Sequence, residues 1–275
     1  MFLKKTLCPT YGQKIMSIKI TAELVKELRE ATGVSVMQCK NALEEAEGDM
    51  EKALIILKKK SSSIAMKKAD RDAKDGVIIV KEGNNKIILL ALHTETDFVA
   101  KNEDFTTLAN KLTDMAVSEG IEAMKAKSLD MINEIVQKVG EKIELGKVEE
   151  INGAILGSYV HNNKSAVIVS LSSGTKELAR DIAMHIAAMK PAFVKADDIT
   201  EEDKKKVIEV FEKEVAESDK PEEIKKKMLE GKISTYFKEQ TLMDQPYIKN
   251  GDVTVATLLK NNNAVFTSFV FESIN

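Results

Sequence analysis

The chain has 275 residues, 43% apolar and 31% charged, with 41 Lys and Arg against 44 Asp and Glu and a net charge of −3. That length supports two or three modest domains with real cores, and that balance excludes a disordered chain and argues against nucleic-acid binding through bulk positive charge. The two cysteines, Cys8 and Cys39, rule out a disulfide framework and fit a reducing compartment, and no apolar run approaches the roughly 18 residues needed to cross a bilayer.

The first fifteen residues, MFLKKTLCPTYGQKI, carry Lys4, Lys5 and Lys14 and no acid. Their apolar stretch is too short and broken for a secretory signal. Residues 1–16 therefore read as a disordered extension ahead of the first patterned segment, which opens at Met16, with an organelle-targeting remnant as the alternative. Residues 17–60 read as three short helices. The first spans Ala22 to Ala31, with Thr21 as N-cap, Leu24, Val25 and Leu28 on one face, and Thr32-Gly33 as its stop. The second opens at Ser35 and carries Val36, Met37, Cys39, Ala42 and Leu43. After Gly48-Asp49 the third buries Ala53, Leu54, Ile56 and Leu57. So small a core is expected to lean on a partner or on the rest of the chain. Residues 61–75, the heart of KKKSSSIAMKKADRDAKD, are expected to be a linker. It reads as a solvated tether or as a contact for an acidic partner or RNA.

From Gly76 the texture changes. Val77-Ile78-Ile79-Val80 is a strand, Glu82-Gly83-Asn84-Asn85 a hairpin turn, and Ile87 to Leu92 the return strand. The stretch Thr94-Glu95-Thr96-Asp97-Phe98-Val99-Ala100-Lys101-Asn102 follows, polar and acidic apart from one large ring. Phe98 either packs beneath its own loop or is offered to a partner, since an exposed ring gains nothing by itself. A long helix follows, with Phe105, Leu108, Ala109, Leu112, Met115 and Ala116 at helical spacing. Residues 120–150 read as mainly helical, with Ile132, Ile135, Val136, Val139 and Ile143 on one side and a break at Gly140.

At Gly153 the series starts again. Ala154 to Val160 is a strand, His161-Asn162-Asn163-Lys164 echoes Gly83-Asn84-Asn85-Lys86, Ala166 to Leu171 returns, Ser172 to Thr175 is the loop, and Leu178 to Met189 is a helix stopped at Lys190-Pro191. The chain thus contains a diverged duplication of hairpin, loop and helix. Two small antiparallel sheets, side by side and backed by helices, are expected, an α+β arrangement. The second loop has no aromatic, so the fold alone does not require Phe98.

Residues 201–240 interrupt the second copy. Val207, Phe211 and Val215 stripe one charged helix, and Ile224, Met228, Ile233 and Phe237 stripe the next, with Ser218 to Pro221 between them. Narrow apolar seams on two charged helices predict an antiparallel hairpin arm that seeks a partner, or else lies on its own core. Val253 to Phe271 returns to strand texture and completes the second sheet. No phosphate-binding glycine loop, metal-ligand spacing or nucleophile motif occurs. His185 reads as a core residue of an apolar helix, and His161, at a hairpin tip, as the better functional candidate. These residues are compatible with a protein that offers Phe98 to a partner, with a helical adaptor working through residues 17–60, and with an RNA-associated protein using the basic linker.

Two motifs carry a family resemblance: Leu24-Val25-Lys26-Glu27-Leu28-Arg29-Glu30-Ala31-Thr32-Gly33 followed by Met37-Gln38-Cys39-Lys40-Asn41-Ala42-Leu43, and Glu95-Thr96-Asp97-Phe98-Val99-Ala100-Lys101. Lys138-Val139-Gly140-Glu141, Gly157-Ser158-Tyr159-Val160-His161, and Asp181 to His185 with Lys190-Pro191 extend it. With these, the chain from Met16 onward resembles the elongation factor Ts family, guanine-nucleotide exchange factors for elongation factor Tu. It departs at Thr94, where cysteine is usual, at His93, where asparagine is common, and at Val36, where methionine is usual. No counterpart of the C-terminal helical module of some members is seen before Asn275.

The resemblance implies an α+β fold. Its parts are a ubiquitin-associated-like three-helix domain at 17–60, a core subdomain at 76–152, and a second at 153–275 with a coiled-coil hairpin inserted at about 200–240. It implies a cytoplasmic, non-enzymatic translation factor without cofactor or bound metal, which binds elongation factor Tu in its GDP-bound and nucleotide-free forms. Thr96, Asp97, Phe98 and Val99 would act at the partner's magnesium site, and Lys26, Arg29, Val36, Met37, Val139, Gly140 and His161 would make further partner contacts. Self-association through the arm, no membrane contact and no direct nucleic-acid binding complete the expectation.

Overall fold

The computed structural model of the protein describes residues 20–218 and 220–274, so the basic stretch and Met16 lie outside the described residues. In chain order the helices are α1 (Ala22–Thr32), α2 (Val36–Glu45), α3 (Met50–Lys68), α4 (Asp97–Ala100), α5 (Glu103–Glu119), α6 (Ile121–Val139), α7 (Lys176–Met189), α8 (Glu201–Ala216), α9 (Glu222–Gln240) and α10 (Val255–Asn261). The strands are β1 (Asp75–Gly83), β2 (Lys86–Thr94), β3 (Ile143–Asn152), β4 (Ile155–His161), β5 (Ser165–Ser173), β6 (Pro246–Tyr247), β7 (Asn250–Thr254) and β8 (Val265–Ser273). Contacts divide the chain into two units. One comprises the described residues up to Asp70 with Asn133–Gly140, and the other Arg71–Ile132 with Glu141 onward.

In the first unit, each helix starts on a capping side chain. Thr21, Ser35 and Asp49 accept from the backbone amides of Leu24, Gln38 and Lys52, which satisfies donors that a helix start otherwise leaves open. Gly33 ends α1 with φ of 69°, a left-handed conformation that favours glycine. Leu28, Val34, Cys39, Ala42, Leu43, Ala53 and Leu57 form the core. The last turns of α6 also belong to this unit. Gln137 Nε2 donates to Gln38 Oε1 at 3.4 Å, and Asn133 Nδ2 to Ser62 Oγ at 3.5 Å. The small bundle therefore gains a fourth element. The linker expected from residue 61 is corrected in its first half, because α3 runs on to Lys68 with Ser61 buried. Lysine, serine, alanine and methionine do not break a helix; the solvated charges merely disguise it.

The second unit is built on two three-stranded antiparallel sheets, ordered β1-β2-β3 and β4-β5-β8. They stack face to face rather than side by side. Ile78, Ile87, Leu89, Ala91 and Ile151 of one sheet share a core with Leu156, Ala166 and Ile168 of the other. The alternate residues of β5, Val167, Val169 and Leu171, pack instead with Leu178, Ala179, Ile182 and Ile186 of α7 and with α10. By the same alternation Ile88, Leu90 and Leu92 of β2 face away from the shared core, where α5 packs on β1 and β2. Each central strand is buried on both faces, which is why it reads as a near-continuous apolar run, interrupted in β5 only by the buried Ser170. Gly157 lets α7 approach β4 closely, since a Cβ there would lie 2.3 Å from the Arg180 backbone nitrogen.

Two further readings are corrected. Residues 143–152 form β3, paired with β2 from Thr94↔Ile143 to Lys86↔Asn152, where a helix is expected. Glu144 and Lys147 are exposed, Gly146 carries no side chain, and the adjacent Glu149 and Glu150 put charge on both faces, so the period of two is hidden. Val253 to Ala264 is not strand throughout. Thr254 caps α10, and the strand that completes the second sheet begins at Val265.

Between α7 and β8 lie α8 and α9, which pack on each other and on little else. Phe211 meets Tyr236 edge-on at 5.8 Å, and the Lys232 ammonium pairs with Glu214. The pairing moves back along α9 as it advances along α8, from Phe211 with Tyr236 through Glu214 with Lys232 to the Ala216 carbonyl, which accepts from Lys225 Nζ at 3.3 Å, so the two helices are antiparallel. Ile224, expected in the seam, is exposed instead. At the foot of this pair a polar cluster holds residues 245–249 against α7. Gln245 Oε1 lies 2.9 Å from His185 Nε2, and the Ile248 amide donates to His185 Nδ1 at 3.2 Å. A ring that accepts at Nδ1 carries its proton on Nε2, so His185 is neutral, and burial lowers its pKa. The Tyr247 hydroxyl donates to Asp181 at 3.1 Å, and burial together with that carboxylate pushes its pKa up to about 12.

Candidate functional site

The Phe98 stretch leaves the central strand β2 and has no room to wander. Thr96 is extended (φ −131°, ψ 156°), and its Oγ1 accepts from the Val99 amide at 3.4 Å. That cap starts α4, where the sequence suggests a plain loop. Asp97, in the first turn, suits the positive end of the helix. The helix ends after one turn because Asn102 is a second cap, its Oδ1 accepting from the amides of Asp104 at 2.9 Å and Phe105 at 3.4 Å. Ala100 is buried and Val99 half-buried. Residues two apart on a helix point in opposite directions, so the turn aims Phe98 outward, where it is 82% exposed. Phe98 does not pack beneath its own loop.

Carboxylates hold this turn. Glu141 accepts from Thr94 Oγ1 at 3.1 Å, from the Thr96 amide at 3.0 Å and from Thr96 Oγ1 at 2.8 Å. In return Glu95 Oε1 accepts from the Lys142 amide at 2.6 Å, and both Glu95 oxygens lie 3.2 Å from Arg71. Asp97 is half exposed and pairs with Lys101 at 2.7 Å, which raises the lysine's pKa. No group of three or more His, Cys, Asp or Glu among the described residues is arranged to hold a metal.

His161 lies exposed at the end of β4, its Nδ1 3.1 Å from the Tyr159 hydroxyl. Its turn docks against the start of β1. The Ile78 amide donates to the Asn163 carbonyl at 2.7 Å, and Lys164 Nζ pairs with Asp75 and donates to the Gly76 carbonyl at 2.9 Å. Asp75 is the register partner of Thr94. The His161 turn and the Phe98 turn therefore lie at the same end of the stacked sheets. Burial pushes the Asp75 carboxyl up, but the Lys164 ammonium and the Gly76 amide together outweigh it, so its pKa is lowered.

The first unit brings together a separate set. Lys26, Arg29 and Val36 line a groove between α1 and α2 with Ile20, Val25 and Lys40, apolar in its floor and basic at its rim. Val36 is 50% and Met37 65% exposed. Val139 is half-buried at the end of α6, and Gly140, with φ of 75°, donates to the Val136 carbonyl at 2.9 Å and receives Lys68 on its own carbonyl. The residues that sequence reasoning misses are the braces. Glu141 figures there only within a motif, and nothing local signals that it reaches back to Thr96.

The family model described as Elongation factor TS matches residues 95–274. The elongation factor Ts of Marinobacter nauticus is 41% identical over 258 residues, covering 91% of this chain and 89% of the relative. That of Aeromonas salmonicida is 41% identical over 260 residues with the same coverage. The Legionella pneumophila (strain Lens) protein is 38% identical over 264 residues, 91% of this chain and 90% of its own length.

Proposed function

The chain belongs to the elongation factor Ts family, and from that premise we propose that this translation elongation factor is a guanine-nucleotide exchange factor: it binds elongation factor Tu carrying GDP, disturbs the partner's magnesium site and promotes GDP release so that GTP can rebind. The observation that carries the reading is Phe98, 82% exposed on a turn capped at both ends. A phenylalanine left in water forgoes about 1.5–3 kcal/mol of burial, which a partner pocket recovers. In this reading the ring wedges into the GTPase and moves helices near the nucleotide, with Thr96 and Val99 completing the inserted stretch. Asp97 is already paired with Lys101, so a direct contest for the ion would first have to break that pair. The wedge is therefore the larger contribution. A magnesium ion bridges protein and phosphate oxygens, so displacing its ligands loosens GDP. The factor prefers the nucleotide-free partner, and linkage then weakens GDP by the same coupling free energy. It acts by differential binding, without covalent chemistry or a cofactor.

The other contacts follow the same reading. Lys26, Arg29, Val36 and Met37, on a ubiquitin-associated-like bundle, meet the GTPase domain. Val139, Gly140 and His161 add core contacts, and α8–α9 form a coiled-coil arm open to self-association. The test is release of labelled GDP from elongation factor Tu. Phe98→Ala is expected to slow it about thirtyfold while changing stability by less than about 0.5 kcal/mol, since the ring is solvated. A variant as fast as the parent sinks the reading. The exposure of Met37 favours a second one, a helical adaptor working through the first unit. Val36→Asp with Met37→Asp separates them: an exchange factor keeps residual activity through Phe98, whereas an adaptor loses all binding.

A further inference from the structure

We propose that Glu141 is a positioning residue of the exchange site, setting the direction of Phe98 from 43 places along the chain (141 − 98) without touching the partner; the role rests on the exchange-factor reading above. A four-residue helix cannot sustain itself, because nucleating a turn fixes several dihedrals for one hydrogen bond. The direction of Phe98 is therefore only as firm as the cap at Thr96. A self-sufficient cap has two halves: the N-cap hydroxyl accepts from the third helical amide, and an acidic side chain at that third position accepts from the N-cap amide. In α4 the third position is Val99, which accepts nothing. Glu141 takes the missing half from outside, accepting from the Thr96 amide at 3.0 Å. It also accepts the Thr96 hydroxyl proton at 2.8 Å, which turns that oxygen's lone pairs toward the Val99 amide. Its third bond, from Thr94 Oγ1, fixes the last residue of β2 from which the turn departs.

Both sides of the junction are held by the same device. Glu95 returns the favour to the Lys142 amide, so residues 94–96 and 141–142 are clasped by two carboxylates in opposite directions. A carboxylate suits this place because it only accepts, and two hydroxyls and an amide all need an acceptor. In the second copy Thr175 caps α7 with no such partner, and a helix extending to Met189 holds itself by its buried face.

The experiment compares full-length Glu141→Ala, Glu141→Gln, Phe98→Ala and the Glu141→Ala/Phe98→Ala double variant in GDP release from elongation factor Tu, with amide hydrogen exchange read at Thr96 and Val99. Glu141→Ala is expected to slow release about tenfold, the effect of losing several hydrogen bonds at one cap. Glu141→Gln, which keeps one acceptor oxygen, should fall between it and the parent. The double variant should be no slower than Phe98→Ala alone, because without the ring the direction of the turn no longer matters. The Thr96 and Val99 amides should lose protection while those of β2 and β3 keep theirs, a pattern that general unfolding does not give. A slow Phe98→Ala beside a parental Glu141→Ala overturns this role alone, as do additive losses in the double variant. A parental rate for Phe98→Ala overturns the exchange reading and this role with it. If Glu141→Ala does not fold, Glu141→Gln decides by the same comparison.

Discussion

Two strand-to-helix junctions of the core begin alike and end differently. Thr94-Glu95-Thr96 leaves β2, and Ser173-Gly174-Thr175 leaves β5. In each, a hydroxyl residue closes the strand and the threonine two places on caps a helix. From Thr175 the helix runs on to Met189, because Leu178, Ala179, Ile182 and Ile186 give it a face to bury. From Thr96 it stops at Ala100 and restarts beneath Asn102, because Asp97, Phe98 and Lys101 offer the core nothing. A cap starts a helix but does not continue one. The first copy has a turn that the architecture does not need, and that turn bears its most exposed large ring.

The contrast can be broken from the second copy first. Gly157→Ala forces a methyl onto the backbone of α7 and should cost about 3 kcal/mol in denaturant unfolding, whereas the matching position of the first copy already carries Ile79. An undiminished stability would mean that the two helices do not sit differently on their strands. Swapping the caps gives a smaller and more selective effect. Thr175→Ala should cost about 1 kcal/mol and leave GDP release unchanged. Thr96→Ala, which also strands an acceptor on Glu141, should cost about 2 kcal/mol and slow release; equal effects on exchange would erase the distinction. The smallest expected effect is on pH dependence. His185, in the second copy, is held neutral, since burial keeps its folded pKa below the ordinary histidine value of 6.5. The unfolded chain then binds the extra proton, so stability is full above about 6.5 and falls below it, by at most about 1.4 kcal/mol per pH unit. His185→Gln should flatten this part of the melting-temperature profile between pH 7 and 5, and an unchanged slope would remove His185 from the account.

What the sequence made legible was whatever depends on neighbours in the chain. The duplicated hairpins announce themselves through Gly83-Asn84-Asn85-Lys86 and His161-Asn162-Asn163-Lys164 and through the apolar runs Ile87 to Leu92 and Ala166 to Val169. The oddity of Phe98 was visible for the same reason. What stayed hidden depends on distant partners. The outer strand β3 has its alternation broken by Gly146 and by the adjacent Glu149 and Glu150, and reads as helix until β2 is placed beside it. The stacking of the two sheets leaves no mark beyond the apolar runs it requires. Glu141 is one glutamate among many until its carboxylate is seen to meet Thr94 and Thr96.

The pairing of β5 with β8 has a consequence for the order of assembly. The partner edge for Ser165–Ser173 is supplied by Val265–Ser273, so during synthesis a strand apolar on both faces waits for the whole of α7 to α10 to emerge. Closing so long a loop is slow, although its entropy grows only logarithmically with length. The packing of α8 on α9 shortens that loop, since it returns Gln240 to Ala192 and Phe193, whose amides donate to its carbonyl at 2.9 and 3.0 Å, and leaves a much shorter span between β5 and β8 to close.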